Sequence, residues 1–329
     1  MITYERLADE DLLRVLDGGG FAHSLVDFAK SGQYALDLQM RGYAAKSNET
    51  WASLYVGLTK VLDLRHLPSK GFRLRVDKAW ATPQNHWKPK WSSEWRDEEW
   101  MEREWPDVEA YLERVIPAIP KNFLVEGAVQ SAISGFNNDQ MLIIDREAAV
   151  CYQNQSEKDL IKSKLEPPLL NAMKPPGDAK WWGTVPKSLG GECDALAISD
   201  NGDLLAIEIK PRTATGTIRW SPLQVRYYAD LFSEWVNAEH GVGEGMAANV
   251  IERMVEQRIR LGLIQPEMRQ VLKLPIRVQP VIAVGRYLTD AALSGLREVQ
   301  GRLSAAGHDD PPVILKLATL WGQLEDVDV

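Results

Sequence analysis

The chain is poor in the residues that build small cross-linked or zinc-bound proteins. Among its 329 residues there are only two cysteines, Cys151 and Cys193, and five histidines, which are scattered through the sequence. A disulfide framework needs several paired cysteines, and a structural zinc site needs closely spaced cysteine and histidine ligands. The sequence therefore excludes a disulfide-stapled scaffold and argues against structural zinc.

Long apolar runs are also missing. No stretch approaches the ~18 unbroken apolar residues that a membrane-spanning helix needs. Residues 1–30 carry acids where a secretory leader has a basic start and an apolar run. We therefore expect a cytoplasmic protein without a membrane partner. Its 45% hydrophobic and 26% charged residues are typical of a globular protein, and its length suggests two domains or one large one.

Negative charge is in excess, which opposes the binding of nucleic acid phosphates. The chain carries 46 acids and 38 bases, so its formal net charge is -8. Residues 92–114 hold nine acids and three bases, so six of the eight net negative charges lie in this one segment. The excess negative charge is therefore concentrated in one segment, and it does not exclude a nucleic acid partner.

Residues 1–110 are predicted to form an accessory module rich in β-strands. A mostly helical pattern over 7–30 precedes three stretches of alternating or β-branched residues, at 34–43, 53–67 and 72–80. Half of the twelve tryptophans then cluster within 26 residues: Trp80, Trp87, Trp91, Trp95, Trp100 and Trp105. Because the last three lie among carboxylates, which repel phosphate, we expect these rings to pack or to contact a protein partner rather than to stack on bases.

Residues 111–329 are predicted to form an α/β domain, a mixed sheet flanked by helices. Prolines favour a loop over 154–180. Helices are expected near 107–117, 121–134, 221–236, 246–263 and 289–304. Strands are expected at 141–145, 148–153, 192–199, 203–210, 276–284 and 312–318.

The most informative passage is a predicted β-hairpin within residues 190–212. Its first strand contains Asp194, and its second contains Glu208 and Lys210. A charge in an otherwise buried strand is costly unless it is paired or bound to a metal. The register of the hairpin therefore decides whether these three side chains can meet.

Two turns are compatible with the sequence Asp200-Asn201-Gly202. A two-residue Asn-Gly turn places Asp194 on the opposite sheet face from Glu208. A three-residue loop with glycine in the left-handed conformation instead sets residue 199 opposite residue 203. Asp194 then faces Glu208, and all the charged side chains share one face. We predict the second register, because the first leaves the charges unpaired.

Two carboxylates and an ammonium group on one face are suited to metal-assisted hydrolysis of a phosphodiester. Oxygen ligands bind a hard cation such as magnesium, whose bound water becomes the nucleophile. At this point the sequence resembles the PD-(D/E)xK nuclease superfamily, whose core pattern is matched by Asp194 and by Glu208-Ile209-Lys210. The resemblance implies a restriction-endonuclease-like fold. It also implies a further acid on a preceding helix, for which Glu126 is the best match.

The resemblance continues downstream of the hairpin. Gln224 and Tyr228 form a Gln-x-x-x-Tyr pattern on one helical face, which resembles the RecB-like and lambda-exonuclease-like branch, where this pattern lies beside the site and supports substrate contact. Arg212 and Arg219 lie between strand and helix, where they could meet phosphate. Between 208 and 226 there are four bases and one acid, so the site is locally basic.

These features predict a metal-dependent nuclease, using Mg²⁺ or Mn²⁺, that acts on DNA rather than RNA in defence or DNA processing. Asp194, Glu208 and Glu126 are the predicted metal ligands, and Lys210 positions water or stabilises charge. Glu192 is either a further ligand or the ion-pair partner of Lys210. The alternative is a nuclease-fold binding or scaffolding protein that has lost catalysis. A protein partner of the N-terminal module is compatible with either function.

Overall fold

The computed structural model describes residues 2–31, 36–42, 48–119, 126–138, 140–174, 184–237 and 243–327. The chain divides into two compact units. We call Glu5–Asn137 with Asn249–Arg269 the four-stranded unit, and Met1–Tyr4, Asn138–Ala248 and Gln270–Val329 the six-stranded unit.

In chain order the strands are β1 (Ile2–Thr3), β2 (Leu36–Gly42), β3 (Thr50–Val56), β4 (Thr59–Leu67), β5 (Gly71–Arg75), β6 (Met141–Ala148), β7 (Cys151–Tyr152), β8 (Cys193–Ser199), β9 (Leu204–Lys210), β10 (Val278–Gly285), β11 (Ile314–Ala318) and β12 (Leu324–Asp326). The helices are α1 (Glu10–Leu16), α2 (Ser24–Lys30), α3 (Lys90–Ser93), α4 (Glu98–Val115), α5 (Glu126–Ser134), α6 (Gln155–Ala172), α7 (Thr215–Ile218), α8 (Ser221–Val236), α9 (Gly243–Arg260) and α10 (Asp290–Ala305). None of the helices in the described part of the chain is long and apolar enough to cross a membrane.

The four-stranded unit contains an antiparallel sheet in the order β2-β3-β4-β5, as the strand-rich pattern predicted. Its core includes three of the clustered tryptophans, Trp87, Trp91 and Trp105, which are at most 5% exposed. The packing predicted for these rings is therefore confirmed. Trp95 lies under the guanidinium of Arg73, 4.4 Å from it.

Helix α4 begins at Glu98, earlier than the predicted start near residue 107. The Asp97 carboxylate caps it by accepting a 2.8 Å hydrogen bond from the Trp100 amide. Acids in the first turn, Glu98 and Glu99, favour this start because the helix dipole is positive there. The predicted domain boundary at 110/111 falls inside α4, whereas the structure changes unit between residues 137 and 138.

The six-stranded unit is built on a mixed sheet in the order β12-β11-β10-β9-β8-β6. Strands β9, β10 and β11 are parallel, and the other neighbours are antiparallel. Helix α8 packs on β9 and β10, with α6 and α10 beside it. The α/β class is thus as predicted, and the charged hairpin lies near the middle of the sheet.

The loop predicted over 154–180 is wrong for residues 155–172, which form α6. Asn154 caps the helix by accepting a 2.9 Å hydrogen bond from the Glu157 amide. Pro167 and Pro168 lie inside the helix, where each removes an amide donor. Packing against α8 and burial of Leu169 to 1% exposure outweigh that local loss. Residues 121–125 of the predicted helix 121–134 and residues 175–180 of the predicted loop lie outside the described part of the chain.

Candidate active site

The β8–β9 hairpin has the predicted register. Ala195 pairs with Ile207, and the pairing continues without interruption to the loop at 200–202. The Ser199 amide donates to the Asp203 carbonyl at 3.0 Å, so residue 199 lies opposite residue 203. The hairpin is therefore closed by a three-residue loop, and Asp194 lies on the same sheet face as Glu208.

Gly202 makes this loop possible. Its φ is +81°, in the left-handed region that glycine enters without steric cost. A β-carbon at this position would lie 2.8 Å from the backbone nitrogen of Lys273, which also donates a 3.0 Å hydrogen bond to the Gly202 carbonyl. Any other residue would therefore strain the loop that sets the register of the charged side chains.

Asp194 is partly exposed and lies just beyond the last backbone pair of the hairpin. Its Oδ2 accepts a 2.7 Å hydrogen bond from the Ile209 amide. The carboxylate therefore binds the backbone between Glu208 and Lys210. This bond holds the Asp194 side chain against the part of β9 that carries the other two charges.

Glu208 and Lys210 form an ion pair on β9. Their side chains are 3% and 12% exposed, and β9 is an interior strand with β8 and β10 on either side. Removing two charges from water costs several kcal/mol per ion, about as much as their attraction returns. A pair of this kind adds little to net stability, so its presence in the middle of a sheet favours a chemical role for it.

Tyr228 of α8 positions the segment that enters β8. Its hydroxyl donates to the Leu189 carbonyl at 3.1 Å, and the Leu189 amide donates to Glu166 Oε1 at 2.7 Å. Gly190, with φ +88°, allows the close approach, since a β-carbon there would lie 2.7 Å from the Tyr228 hydroxyl. Tyr228 is only 4% exposed, so it acts as a positioning residue rather than as a direct substrate contact.

The pKa of Tyr228 is raised, first by burial and then by the negative charges of Glu208 and Asp194. The hydroxyl therefore stays protonated and remains a hydrogen-bond donor throughout the range in which the carboxylates are ionised. The contribution of Tyr228 to a site stays a prediction.

Helix α8 has the predicted bounds, but its start differs in detail. Ser221-Pro222 has the sequence of a helix start, a capping hydroxyl followed by proline. The capping position is nevertheless Trp220, and the buried Ser221 directs its hydroxyl at the Thr217 carbonyl at 3.4 Å. Pro222 occupies the first turn as expected. Gln224, partly exposed, follows one turn before Tyr228 on the same helical face.

The bases around the site divide into exposed and buried groups. Arg212 is exposed and Arg219 is partly exposed, so both remain candidates for phosphate contact. Arg226 is only 4% exposed, and its guanidinium binds Asp230 at 2.8 Å and the Pro311 carbonyl at 2.9 Å. It therefore serves the fold and adds nothing to the basic surface that its sequence position suggested.

Two further residues of the sequence analysis have defined positions. Glu126 begins α5 in the four-stranded unit, and its role as an additional acid stays a prediction. Cys193 is fully buried, and its thiol lies 3.2 Å from the Ala195 carbonyl. Burial raises the pKa of this thiol, as do the charges of Asp194 and Glu208, so it is not a nucleophile.

A second group of possible metal ligands was missed by the sequence analysis. In the four-stranded unit, ligand atoms of Asp9, Asp11 and His66 all lie within 4.8 Å of one another. Asp9 and His66 are 57 residues apart, so no local spacing reveals the group. The two Asp9 oxygens already accept hydrogen bonds from the Leu12 amide at 2.9 Å and the Thr50 hydroxyl at 2.8 Å, and both contact His66 Nδ1.

Comparison of the chain with protein-family models, with curated proteins and with solved structures gives no match. The functional interpretation therefore depends on the site itself.

Proposed function

We propose that the protein is a metal-dependent nuclease that hydrolyses phosphodiester bonds in DNA. The observation that carries the proposal is the register of the β8–β9 hairpin, which puts Asp194 on the same face as Glu208 and Lys210. Tyr228, from the next helix, donates a hydrogen bond to the Leu189 carbonyl in the segment that enters β8. This is the constellation that the resemblance to the PD-(D/E)xK superfamily implies.

The donor set suits a hard divalent cation. Carboxylate oxygens are the ligands that Mg²⁺ and Mn²⁺ prefer, and the described residues near the hairpin that could bind metal include Asp194 and Glu208. A cation bound there would supply an activated water and charge compensation for a phosphate oxygen.

The protein side chains provide the remaining functions. Lys210, ion-paired with Glu208, places a positive charge beside the two acids, where it can orient a water or stabilise charge that develops on phosphate. The Ile209 amide fixes the orientation of Asp194. Arg212 and Arg219 supply positive charge on the chain between β9 and α8 for contact with the DNA backbone.

A nuclease-fold binding or scaffolding protein is the second candidate. It is favoured by the engagement of both acids within the protein, Asp194 with the Ile209 amide and Glu208 with Lys210. If no cation binds these acids, the group is a structural ion pair and the protein binds nucleic acid without cleaving it.

Cleavage assays separate the two functions. Linear, circular and single-stranded DNA, with RNA of the same sequence, are incubated with the protein in Mg²⁺, in Mn²⁺ or in EDTA. We expect cleavage of DNA that requires the added metal. Undiminished cleavage in EDTA would overturn the metal mechanism, and binding without cleavage under every condition would favour the scaffolding function.

A further inference from the structure

The three parallel strands of the six-stranded unit end at one edge of the sheet. Lys210, Val284 and Leu317 form one row across β9, β10 and β11. Just beyond this row, the Arg286 amide donates a 2.8 Å hydrogen bond to the Ala318 carbonyl, so the carboxyl ends of β10 and β11 stay adjacent. In open α/β sheets, ligands bind outside the carboxyl ends of the strands. The candidate active site therefore adjoins an edge at which a substrate can dock.

Two aromatic rings project from this edge into solvent. Trp321 is 81% exposed and Tyr287 is 54% exposed. Trp321 lies in the β11–β12 turn, which is closed by a 2.8 Å hydrogen bond from the Thr319 amide to the Gln323 carbonyl. The Trp321 amide also donates to the Thr319 hydroxyl oxygen at 3.3 Å. The backbone that carries the indole is thus fixed, while the ring itself is open to solvent.

Positive charge accompanies the rings. Arg212 and Arg286 are both exposed. The Arg212 guanidinium donates to the Tyr287 hydroxyl at 2.9 Å and lies 5.0 Å from the centre of its ring. A guanidinium has five N–H donors, so this contact leaves most of the capacity of Arg212 for phosphate. Acidic Asp326 on β12 is paired with Lys316 at 2.6 Å, which limits its repulsion of a nucleic acid.

We propose that this edge, formed by Arg212, Arg286, Tyr287 and Trp321, binds single-stranded nucleic acid, with unpaired bases stacked on the two rings and phosphates on the two arginines. Base stacking on exposed aromatic side chains and backbone contacts to arginine are the two interactions that hold single strands. Paired bases present only their grooves and backbone to the protein, so a duplex cannot use the rings. The inference rests on the proposed nuclease function and names the substrate class as DNA with unpaired bases, either a single strand or a frayed end.

Binding is measured in EDTA, so that it does not depend on cleavage. The probes are a fluorescent single-stranded DNA oligonucleotide and a closed duplex of the same length, fully complementary and with GC-rich ends that fray little. We compare the wild-type protein with Trp321→Ala, Trp321→Phe and Tyr287→Ala. Leu320→Ala is the matched control, because Leu320 lies in the same turn and is 61% exposed but has no aromatic ring.

We expect Trp321→Ala and Tyr287→Ala each to weaken binding of the single strand by at least about fivefold, the lower end of the range for loss of one stacked base. Trp321→Phe should retain most of the affinity, Leu320→Ala should bind as the wild type does, and binding of the closed duplex should not change. Equal affinity of the wild type and both alanine variants for the single strand would overturn the inference. So would a wild-type protein that binds no single strand, or an equal loss of affinity for the duplex.

The same variants are assayed for cleavage with Mg²⁺, which separates the two proposals. A loss of single-strand binding in Trp321→Ala, combined with a wild-type protein that never cleaves, would keep the docking edge and reject the nuclease. Metal-dependent cleavage with unchanged single-strand binding in every variant would keep the nuclease and reject the docking edge.

Discussion

The two units use their buried and half-buried charges differently. In the four-stranded unit, Asp9 caps α1 and also binds Thr50 and His66, so its oxygens join parts of the fold to one another. In the six-stranded unit, Glu208 and Lys210 pair with each other inside a central strand, where an apolar pair would pack as well. A group of metal-binding residue types is therefore weak evidence for a site when hydrogen bonds within the fold already account for it.

The largest expected difference between the units is in catalysis. Asp194→Ala or Glu208→Ala should lower metal-dependent DNA cleavage by roughly a thousandfold, since a lost ligand removes several kcal/mol of stabilisation from the metal and its activated water. Asp9→Asn should cleave as the wild type does. Initial rates with Mg²⁺, together with circular dichroism to verify folding, measure this difference. If Asp9→Asn alone lost cleavage, the catalytic group would be the one in the four-stranded unit.

The ion pair on β9 should be costly to break from one side. Lys210→Met leaves the Glu208 carboxylate buried without its partner, which should lower the free energy of unfolding by about 3 kcal/mol. The double variant Glu208→Leu with Lys210→Met should recover most of that loss. Denaturant titration gives both values. Arg14→Ala, which breaks the exposed Arg14–Glu98 pair of the other unit, is the control and should cost at most about 1 kcal/mol. If Lys210→Met and Arg14→Ala lowered the free energy of unfolding equally, burial would not make the Glu208–Lys210 pair more costly to break than an exposed pair.

The entry to β8 can be tested with two adjacent glycines. Gly190→Ala should destabilise the protein by about 1–2 kcal/mol, because alanine resists the left-handed conformation and its β-carbon would meet the Tyr228 hydroxyl. Gly191→Ala should have little effect, because no heavy atom outside its immediate neighbours lies within 4 Å of the added carbon. Thermal unfolding measures both variants. A larger loss in Gly191→Ala would contradict the positioning role assigned to Tyr228.

The contribution of Asp9 to protein stability should depend on pH. Burial of Asp9 acts to raise its pKa, but hydrogen bonds from His66, the Leu12 amide and Thr50 outweigh burial and lower it from 3.8. The stability that Asp9 contributes is therefore present above pH 3.8 and is lost as the pH falls through the lower pKa of the folded protein. Asp9→Asn should show a flatter decline of unfolding temperature in this acidic range, with a loss of about 1 kcal/mol at neutral pH, because a neutral amide oxygen accepts weaker hydrogen bonds than a carboxylate. The exposed neighbour Asp11 provides the control, since Asp11→Asn should follow the wild-type curve.

The smallest expected effect concerns the exposed acids of α4. Because the tryptophans around them pack into the four-stranded core, this segment has a structural role within its own unit, and its acids are not expected to govern DNA binding. Combined substitution of Glu99, Glu102 and Glu113 by glutamine should change DNA affinity and its salt dependence very little. Anisotropy titrations at several salt concentrations provide the measurement. Tighter binding with a steeper decline in salt would show that the segment gates the site.

Much of the six-stranded unit could be predicted from local sequence. The alternation in β8 and β9, the glycine at 202 and the bounds of α8 follow from side-chain period and turn chemistry, which act over a few residues. Local reasoning failed at α6, where Pro167 and Pro168 favoured a loop. A helix there depends on packing against α8, which no local pattern contains. The composition of the two units also depends on distant segments, because residues 249–269 belong to the four-stranded unit across a long sequence separation.

The sequence by itself was enough to predict the hairpin register and therefore which charges share a face, because each strand alternates with period two and only the three-residue loop brings the charged side chains to one face. Only the tertiary structure decided which charges are available for chemistry. It buried Arg226 against Asp230, engaged Asp9 with His66 and Thr50, and left Arg212 at the sheet edge beside Tyr287. The reason is that burial and pairing depend on segments distant in the chain, and the free energy of a charge is set by those neighbours.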